Sequence, residues 1–211
     1  MKRCVIVTAA PVLGDRFVVA MRALLRSDDT VYAADNGWKL AERLGVSISC
    51  LIGDFDSGEQ PPASVVSNVV RLPVVKDETD TLAAVYEAQK SGYNDFLILG
   101  SLGGRFDHTL ANLAVMQHVV KTGGYAVMSD GQNEIHMLSP SRYTFSKREG
   151  YFSLLPYGGE VQEVSIKGAL YNVKGITLTL DRPVGVSNAF VDETLEISFE
   201  SGYLLLIFSK D

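Results

Sequence analysis

The stretch from Phe96 to His108 reads FLILGSLGGRFDH, and it decides how the first half of this chain is interpreted. Four apolar residues, typical of a buried strand, lead through a glycine-rich turn into a segment with helical periodicity. Gly103 and Gly104 stand just before this helix, where backbone N–H groups can accept a phosphate. Arg105 adds a guanidinium fork that suits phosphate oxygens. The stretch therefore predicts a phosphate-binding turn at the carboxyl end of a strand.

The same alternation of strand and helix patterns runs through roughly the first 125 residues. The predicted strands are Cys4–Val7, Val31–Ala34, Ser49–Ile52, Val69–Val75 and Phe96–Leu99. The predicted helices are Asp15–Leu25, Trp38–Leu44 with a C-cap at Gly45, Thr79–Lys90 and Asp107–Val120. Such βαβ units form a parallel sheet with helices on both faces, and ligands bind beyond the carboxyl ends of its strands.

The pattern changes after about Gly124, where short extended runs separated by turn residues replace the helices. The runs are Tyr125–Ser129, Glu134–Leu138, Tyr143–Ser146, Tyr151–Pro156, Gln162–Ile166, Ile176–Leu180, Leu195–Phe199 and Leu204–Phe208, with one turn expected at Gly158-Gly159. This spacing favours an antiparallel β sandwich. We expect a Rossmann-like α/β domain over residues 1–130 and an all-β sandwich domain over residues 131–211.

The composition is that of a globular protein, with 46% hydrophobic and 21% charged residues. A formal net charge of −6 argues against general binding to nucleic acid, which favours basic surfaces. The apolar runs are too short for a membrane helix, so we expect a cytoplasmic protein that binds neither nucleic acid nor a membrane. Cys4 and Cys50 lie in apolar runs and are expected to be buried free thiols.

Two carboxylates follow the third predicted strand, in the segment Gly53-Asp54-Phe55-Asp56-Ser57. Extended residues two apart point to the same side, so Asp54 and Asp56 are both expected to reach one Mg²⁺. The alternative is a turn in which Asp56 and Ser57 make local hydrogen bonds. An Asp-x-Asp pair is common by itself, but the neighbouring acidic motifs favour the metal interpretation.

A third acidic motif, Lys76-Asp77-Glu78-Thr79-Asp80, precedes a helix. Thr79 or Asp80 can serve as a simple N-cap, but that explanation gives Lys76 no role. A lysine can serve a phosphate as a point charge. We expect Asp80 either to complete the metal site or to orient an attacking hydroxyl.

Asp35 follows the second predicted strand, where an acid can meet a ribose or a substrate hydroxyl; a turn residue is the alternative. Asp107 either touches a ligand or closes the turn by pairing with Arg105. His108 is either a cap or packing residue or part of the site. The chain has no P-loop, no dinucleotide fingerprint and no nucleophile motif, so covalent catalysis has no support.

Taken together and in this order, the motifs resemble those of the thiamine pyrophosphokinase family. The resemblance rests on Asp35–Gly37, Gly53–Ser57, Lys76–Asp80 and Gly100–His108, and Ser187-Asn188 resembles the family's C-terminal substrate motif. It implies an α/β nucleotide domain, a β-sandwich domain for thiamine binding and dimerisation, and a homodimer with thiamine bound where the subunits meet. The implied reaction is ATP plus thiamine giving AMP plus thiamine diphosphate, with Mg²⁺.

The resemblance also implies roles for individual residues. The metal and the phosphates would be held by Asp54, Asp56 and Asp80, which with Arg105 form the catalytic set. The nucleotide would be contacted by Thr79, Arg105 and Asp107, with Asp35 in the same crevice. Lys76 is added to the nucleotide-binding set because of its own charge. Ser187 and Asn188 would face the thiamine. Some relatives stack the substrate rings on a C-terminal tryptophan; the only tryptophan here is Trp38, so Phe190 or a tyrosine would have to substitute.

Three other functions fit the same motifs. A pyrophosphokinase acting on another hydroxymethyl heterocycle, such as a pterin, would share the phosphate-binding residues and differ in the acceptor pocket. A thiamine or nucleotide sensor would bind without turnover. A two-metal hydrolase would release phosphate with no acceptor present.

Overall fold

The computed structural model describes residues 2–11, 14–55, 66, 68–73 and 77–210. The chain divides into two compact units, Met1–Gly131 and Gln132–Asp211. The first is a parallel α/β unit and the second a β sandwich, so the predicted fold class is confirmed. No helix in the described part of the chain is both long and apolar enough to span a membrane.

The N-terminal unit is a parallel sheet with helices between its strands. Its elements are β1 Arg3–Val7, α1 Asp15–Arg22, β2 Thr30–Ala34, α2 Gly37–Leu44, β3 Cys50–Gly53, β4 Val69–Arg71, α3 Asp80–Lys90, β5 Asp95–Leu99, α4 Phe106–Lys121 and β6 Tyr125–Ser129. Tyr125–Ser129, the first of the extended runs after Gly124, pairs in parallel with β5 and so belongs to this sheet.

The strands lie in the order β4-β3-β2-β1-β5-β6 and are all parallel. Successive strands are added on one side of β1 as far as β4 and on its other side from β5 onward, so the switch point lies between β1 and β5. The loops that leave β1 and β5 therefore diverge, which opens a crevice at the carboxyl ends of these two strands.

Helices on the two faces of the sheet complete the core. The last four residues of β1 are buried, the continuous apolar run expected of a central parallel strand. α1 packs on α2, and α3 packs on α4. Cys4 and Cys50 are buried and free, and α2 ends at Gly45 in the left-handed conformation, so these predictions are confirmed. α1 ends at Arg22, one turn earlier than predicted.

The C-terminal unit is an antiparallel sandwich. Its strands are β7 Asn133–Leu138, β8 Ser141–Ser146, β9 Tyr151–Lys167, β10 Val173–Leu178, β11 Thr194–Phe199 and β12 Ser201–Ser209. They pair in the order β7-β12-β9-β11-β8, and β10 also pairs with β9. Buried residues of these strands, among them Phe152, Leu195 and Leu206, form the core between the layers.

The predicted turn at Gly158-Gly159 is wrong, because β9 is one strand of 17 residues. Its first half pairs with β12, and its second half pairs with β10 and β11, so a single strand serves both layers. Glu163 has a positive φ of 57°, and the register with β12 shifts between Ser201 and Tyr203. Bulges of this kind bend a strand, which lets β9 pass from one layer to the other without a turn.

A partly buried acid–base network stabilises the C-terminal unit. Glu134 Oε1 accepts hydrogen bonds from His136 Nε2 at 2.7 Å and from Arg148 at 2.6 Å. The Arg148 guanidinium lies 4.3 Å from the ring centroid of Phe208. Burial raises the pKa of the Glu134 carboxyl, but the hydrogen bonds from His136 and Arg148 outweigh it and lower that pKa to about 2.

Glu134→Gln is expected to destabilise the protein at neutral pH by about 1–3 kcal/mol, because it removes the charge that His136 and Arg148 contact. The folded-state pKa of about 2 lies below the ordinary value of 4.5. The charged carboxylate therefore stabilises the fold fully above pH 4.5, and this contribution is lost as the pH falls toward 2. Urea denaturation at pH 7 and pH 3 measures the difference. The exposed Glu149→Gln is the control, and an equal loss at both pH values would contradict the prediction.

Candidate active site

The crevice at the switch point has a volume of about 690 Å³. Four segments of the N-terminal unit contribute to it: the loop after β1, the end of β2, the start of α3, and the turn and first helical turns after β5. The described residues that line it are Thr8, Ala9, Ala10, Pro11, Ala34, Asp35, Thr79, Asp80, Thr81, Gly103, Gly104, Arg105, His108, Ala111 and Asn112. It thus brings together Asp35, Thr79, Asp80 and Arg105 of the predicted site residues.

Hydrogen bonds join the two diverging loops at the base of this crevice. The Thr8 N–H donates to the Leu99 carbonyl at 2.8 Å, and the Ala10 N–H donates to the Gly100 carbonyl at 2.8 Å. The buried Thr8 hydroxyl also donates to the Gly100 carbonyl. Thr8–Pro11 was not among the predicted site residues. It directly follows the first strand, and a loop in that position at a switch point is where ligands bind in sheets of this kind.

Backbone packs directly against backbone at the carboxyl ends of β1, β2 and β3. A Cβ added to Gly37 would overlap the Val7 carbonyl oxygen, and one added to Gly53 would lie 3.1 Å from the Cα of Asp35. These two glycines therefore let the ends of β1, β2 and β3 approach closely. Asp35 itself is half-buried and holds a left-handed φ of 45°, and its N–H donates to the Ile52 carbonyl at 2.7 Å.

The geometry expected for Asp54 and Asp56 is wrong at the residue between them. Phe55 has a φ of 56°, so the segment is not extended and the argument that places both carboxylates on one side does not apply. The Phe55 side chain is buried in the core, with the Arg71 guanidinium 5.3 Å from its ring centroid. Asp54 is half-buried and is not part of the described lining.

Asp56 and Lys76 lie outside the described residues, so their predicted roles remain predictions. Within the described ranges, no group of three or more histidine, cysteine, aspartate or glutamate side chains is positioned to hold a metal ion. Asp54 and Asp80 nevertheless present hard carboxylate oxygens, the ligand type that Mg²⁺ takes in proteins.

The sequence left open whether Thr79 or Asp80 is the N-cap of α3, and the structure shows that it is Thr79. Its backbone is extended, and its hydroxyl oxygen accepts a hydrogen bond from the Leu82 N–H at 3.2 Å. Asp80 is the first helical residue, and an acid in the first turn is favoured by the helix dipole. Capping by the Thr79 side chain leaves the Asp80 carboxylate at the crevice wall.

The glycine turn after β5 is left-handed at two successive positions, with φ of 89° at Gly103 and 66° at Gly104. A Cβ on Gly104 would lie 2.9 Å from Pro11 Cδ, so the turn also packs closely on the β1 loop. Arg105 caps α4 without a side-chain cap bond. The N-terminus of this 16-residue helix therefore faces the crevice with its positive dipole end.

Arg105 and Asp107 form a bidentate ion pair, as one alternative predicted. Arg105 Nε lies 3.2 Å from Asp107 Oδ1, and a terminal nitrogen lies 2.5 Å from Oδ2. The hydrogen bond from Arg105 lowers the pKa of the Asp107 carboxyl. Both side chains are well exposed, at 74% and 62%, and exposed pairs of this kind contribute little stability. Arg105 can thus exchange Asp107 for a phosphate at small cost.

His108 and Asn112 lie on α4 and both line the crevice. Asn112 is buried, and its Nδ2 donates to the Ser101 carbonyl at 2.9 Å, which ties the helix to the turn that precedes it. Sequence reasoning left His108 open and missed Asn112. A polar residue on the buried side of a helix was the available signal.

Ser187 and Asn188 belong to the C-terminal unit. Ser187 is exposed with a φ of 58°, and its N–H donates to Ser153 Oγ at 3.1 Å. The buried Asn188 carboxamide donates to the Tyr171 carbonyl at 2.9 Å and accepts from the Tyr171 N–H at 3.0 Å. Asn188 therefore fixes the Tyr171 backbone beside Ser187, and most of its own hydrogen-bonding capacity is used within the protein.

Of the aromatic side chains near this pair, Phe190 is committed to the sandwich core. It packs edge-on against Phe152 and stacks on Phe208, with centroids 5.5 and 6.1 Å away. Tyr171 is instead 63% exposed. The Tyr171 ring is therefore more accessible to a ligand than the partly buried Phe190 ring.

A doubly wound α/β unit with a glycine turn, two helix N-termini and carboxylates at its switch point defines a class of proteins that bind phosphate-bearing ligands. Residues 21–128 match the family model described as thiamin pyrophosphokinase, catalytic domain. Residues 136–204 match the model described as thiamin pyrophosphokinase, vitamin B1 binding domain. The chain belongs to the thiamin pyrophosphokinase family.

Known relatives agree with this assignment. A thiamine pyrophosphokinase from Bacillus subtilis is 32% identical over 165 residues, which cover 75% of this chain and 77% of that protein. A crystal structure of thiamine pyrophosphokinase from Bacillus subtilis superposes with a TM-score of 0.87 at 27% identity, covering 100% of both chains. Yeast thiamin pyrophosphokinase shares the fold, with a TM-score of 0.77 at 14% identity over 99% of this chain and 86% of that one.

Thr79→Ala is expected to lower the free energy of unfolding by about 1 kcal/mol, because the Leu82 N–H loses its capping partner. Thr79→Ser keeps the hydroxyl and is the matched control, with stability close to that of the unaltered protein. Urea denaturation followed by circular dichroism measures both variants. Equal stability of the alanine and serine variants would show that the cap contributes nothing.

Proposed function

We propose that this chain transfers the diphosphoryl group of ATP to the hydroxyethyl oxygen of thiamine, giving thiamine diphosphate and AMP. The observation that carries the proposal is the crevice at the β1/β5 switch point. There the start of α3, the glycine turn before α4 and Arg105 lie in one cavity with Asp35 and Asp80. Membership of the thiamin pyrophosphokinase family supplies the substrates.

The cationic and N–H donor groups of the crevice suit a polyphosphate. Gly103 and Gly104 present backbone at the start of α4, and Arg105 is held nearby by an exposed pair that a phosphate can replace. Attack of an alcohol oxygen on the β-phosphorus expels AMP, and the protein acts mainly by positioning the reactants in line and by offsetting charge. Arg105 would stabilise negative charge developing on the phosphate oxygens.

Asp80 at the crevice wall, together with Asp54 and Asp56 in the segment after β3, suits a divalent cation. Asp54, Asp56 and Asp80 would hold Mg²⁺, which when bound supplies positive charge to the β- and γ-phosphate oxygens. Asp80 would also accept a hydrogen bond from the thiamine hydroxyl. Asp35 would meet the substrate in the same crevice, with Lys76, Thr79 and Asp107 serving the nucleotide.

The C-terminal unit would bind thiamine through Ser187 and Tyr171. Asn188, which follows Ser187 in the chain, holds the Tyr171 backbone by two hydrogen bonds, and the Tyr171 ring is exposed. An aromatic face attracts a cation such as the thiazolium ring of thiamine. The active enzyme would be a cytoplasmic homodimer with thiamine bound where the two subunits meet.

The test of the reaction is AMP formation from Mg-ATP by purified protein, with and without thiamine. The expected result is AMP that forms only with thiamine, matched by an equal amount of thiamine diphosphate. AMP or phosphate released regardless of thiamine would favour hydrolase chemistry. Turnover with a hydroxymethyl pterin but not with thiamine would contradict the proposed acceptor.

Asp54→Asn, Asp56→Asn and Asp80→Asn are each expected to lower turnover by roughly two to three orders of magnitude, because each removes a charged ligand of the metal. Asp77→Asn changes an exposed acid of the same segment and is the control. Excess chelator should abolish turnover of the unaltered protein. Near-normal turnover of Asp56→Asn with an intact fold would contradict the metal assignment.

Tyr171→Ala is expected to raise the KM for thiamine by roughly tenfold, at a cost of about 1–2 kcal/mol of ring contact, with the KM for ATP unchanged. Tyr171→Phe keeps the aromatic face and should restore the lower KM. Steady-state kinetics with each substrate varied in turn separates the two effects. An unchanged thiamine KM in the alanine variant would remove Tyr171 from the thiamine site.

A further inference from the structure

A second concavity lies within the C-terminal unit, on strands β8 to β11, and takes no part in the proposed reaction. It is a groove of about 560 Å³ with three basic side chains, two serine hydroxyls and one carboxylate among its described lining. These residues are Arg142, Lys167, Lys174, Ser165, Ser198 and Glu196. The volume lies in the range of small-molecule binding sites.

Strand register places three of these side chains in one row. Ser198 on β11 lies opposite Arg142 on β8 and opposite Ser165 on β9, and directly opposed residues share a face of the sheet. The neighbouring Ile197 is buried in the core, so this row lies on the other face. Ser165 Oγ accepts a hydrogen bond from the Gly175 N–H at 3.0 Å, which brings β10 alongside β9.

The row consists of Ser165, Ser198 and Arg142, and Lys174 lies on β10 next to Gly175, beyond Ser165. A cation is therefore carried by the strand on either side of the two hydroxyls. Adjacent strands are about 4.8 Å apart, so the backbones that carry the two cations are roughly 14 Å apart. Long lysine and arginine side chains on either side can converge on one ligand above the hydroxyls. The two oxygens of a carboxylate lie close together on one carbon, whereas a diphosphate spreads its oxygens over two phosphorus atoms and can contact cations on both sides of the hydroxyls.

The charge of the groove is opposite to that of the chain. Three cations and one carboxylate leave the lining net positive, on a protein with a net charge of −6. Lys167 lies 3.9 Å from Glu196, a loose pair, and Arg142 and Lys174 form no ion pair with any residue that the structure describes. Cations left unpaired on an acidic protein favour an anionic ligand and disfavour the cationic thiamine.

We propose that this groove binds the phosphate or diphosphate group of a small molecule. The Arg142 guanidinium offers a planar fork to phosphate oxygens, and the ammonium of Lys174 serves as a point charge at the opposite end. The Ser165 and Ser198 hydroxyls donate to the oxygens between them. Free inorganic phosphates and diphosphate esters, including the product of the proposed reaction, share this chemistry.

The test is an amide NMR titration of the full chain with inorganic diphosphate, with chelator present so that no metal-dependent binding contributes. Amides of Ser165, Lys174 and Ser198 are expected to shift and saturate with a dissociation constant of about 1 mM or below. Arg142→Ala/Lys174→Ala should weaken binding at least about tenfold. Arg142→Lys/Lys174→Arg keeps both charges and should retain most of the affinity.

Two controls separate the groove from other cations. Lys2→Ala/Lys90→Ala removes the same charge from exposed positions of the N-terminal unit and should leave the groove affinity unchanged. Arg105→Ala should also leave the groove shifts in place, so failure of the proposed reaction and failure of this site are distinguishable. Unshifted groove amides, or equal affinity in Arg142→Ala/Lys174→Ala, would overturn the proposal. If that double variant does not fold, the single variants Arg142→Gln and Lys174→Gln are titrated instead. Each should weaken diphosphate binding, and unchanged affinity in both would overturn the proposal.

Parallel titrations with inorganic phosphate and thiamine diphosphate identify the source of the anion. Tighter binding of thiamine diphosphate than of inorganic diphosphate would make the reaction product the ligand. Equal or weaker binding would assign the groove to inorganic phosphates.

Discussion

The hydrogen bonds that join the ends of β1 and β5 are the constraint on which the rest of the site depends. Thr8 and Ala10 bind the carbonyls of Leu99 and Gly100, so the two diverging loops start from one fixed point. The Thr8 hydroxyl adds a further bond to Gly100 and is itself buried. Because the parallel register of these strands is fixed, α4 and the loop after β1 both begin at the same crevice.

Conformational strain concentrates where the proposed ligands bind. Among the described residues, four non-glycine residues have a positive φ, and Asp35, Phe55 and Ser187 are three of them. Such conformations cost about 1–3 kcal/mol each and persist only where the surrounding structure enforces them. Close packing of Gly37 and Gly53 on neighbouring backbone supplies that enforcement for the β2 and β3 ends.

The sequence predicted the class of fold and the edge of the sheet at which the candidate crevice lies, because both follow from local patterns. Apolar runs alternating with helical periodicity specify parallel βαβ units, and glycine and acidic turns mark their carboxyl ends. The structure also identifies Thr79 as the N-cap that the motif left undecided.

The features that the sequence did not predict are the continuous strand β9, the conformation of Phe55 and the role of Asn112, and all three depend on tertiary contacts. Gly158-Gly159 resembles a turn locally, but pairing with β12 on one side and β10 and β11 on the other keeps β9 continuous. Phe55 leaves the extended conformation while its ring is buried in the core, and Asn112 gains its role only when α4 meets Ser101. None of these contacts is visible in residue spacing.

The most direct measurement is a crystal structure of the protein with Mg²⁺ and an ATP analogue that has a methylene bridge between the α- and β-phosphorus atoms. This analogue cannot be cleaved at the bond that diphosphoryl transfer breaks. We expect phosphates between the Gly103–Arg105 turn and the start of α3, with Arg105 released from Asp107. A nucleotide bound elsewhere, with the switch-point crevice unchanged, would contradict it.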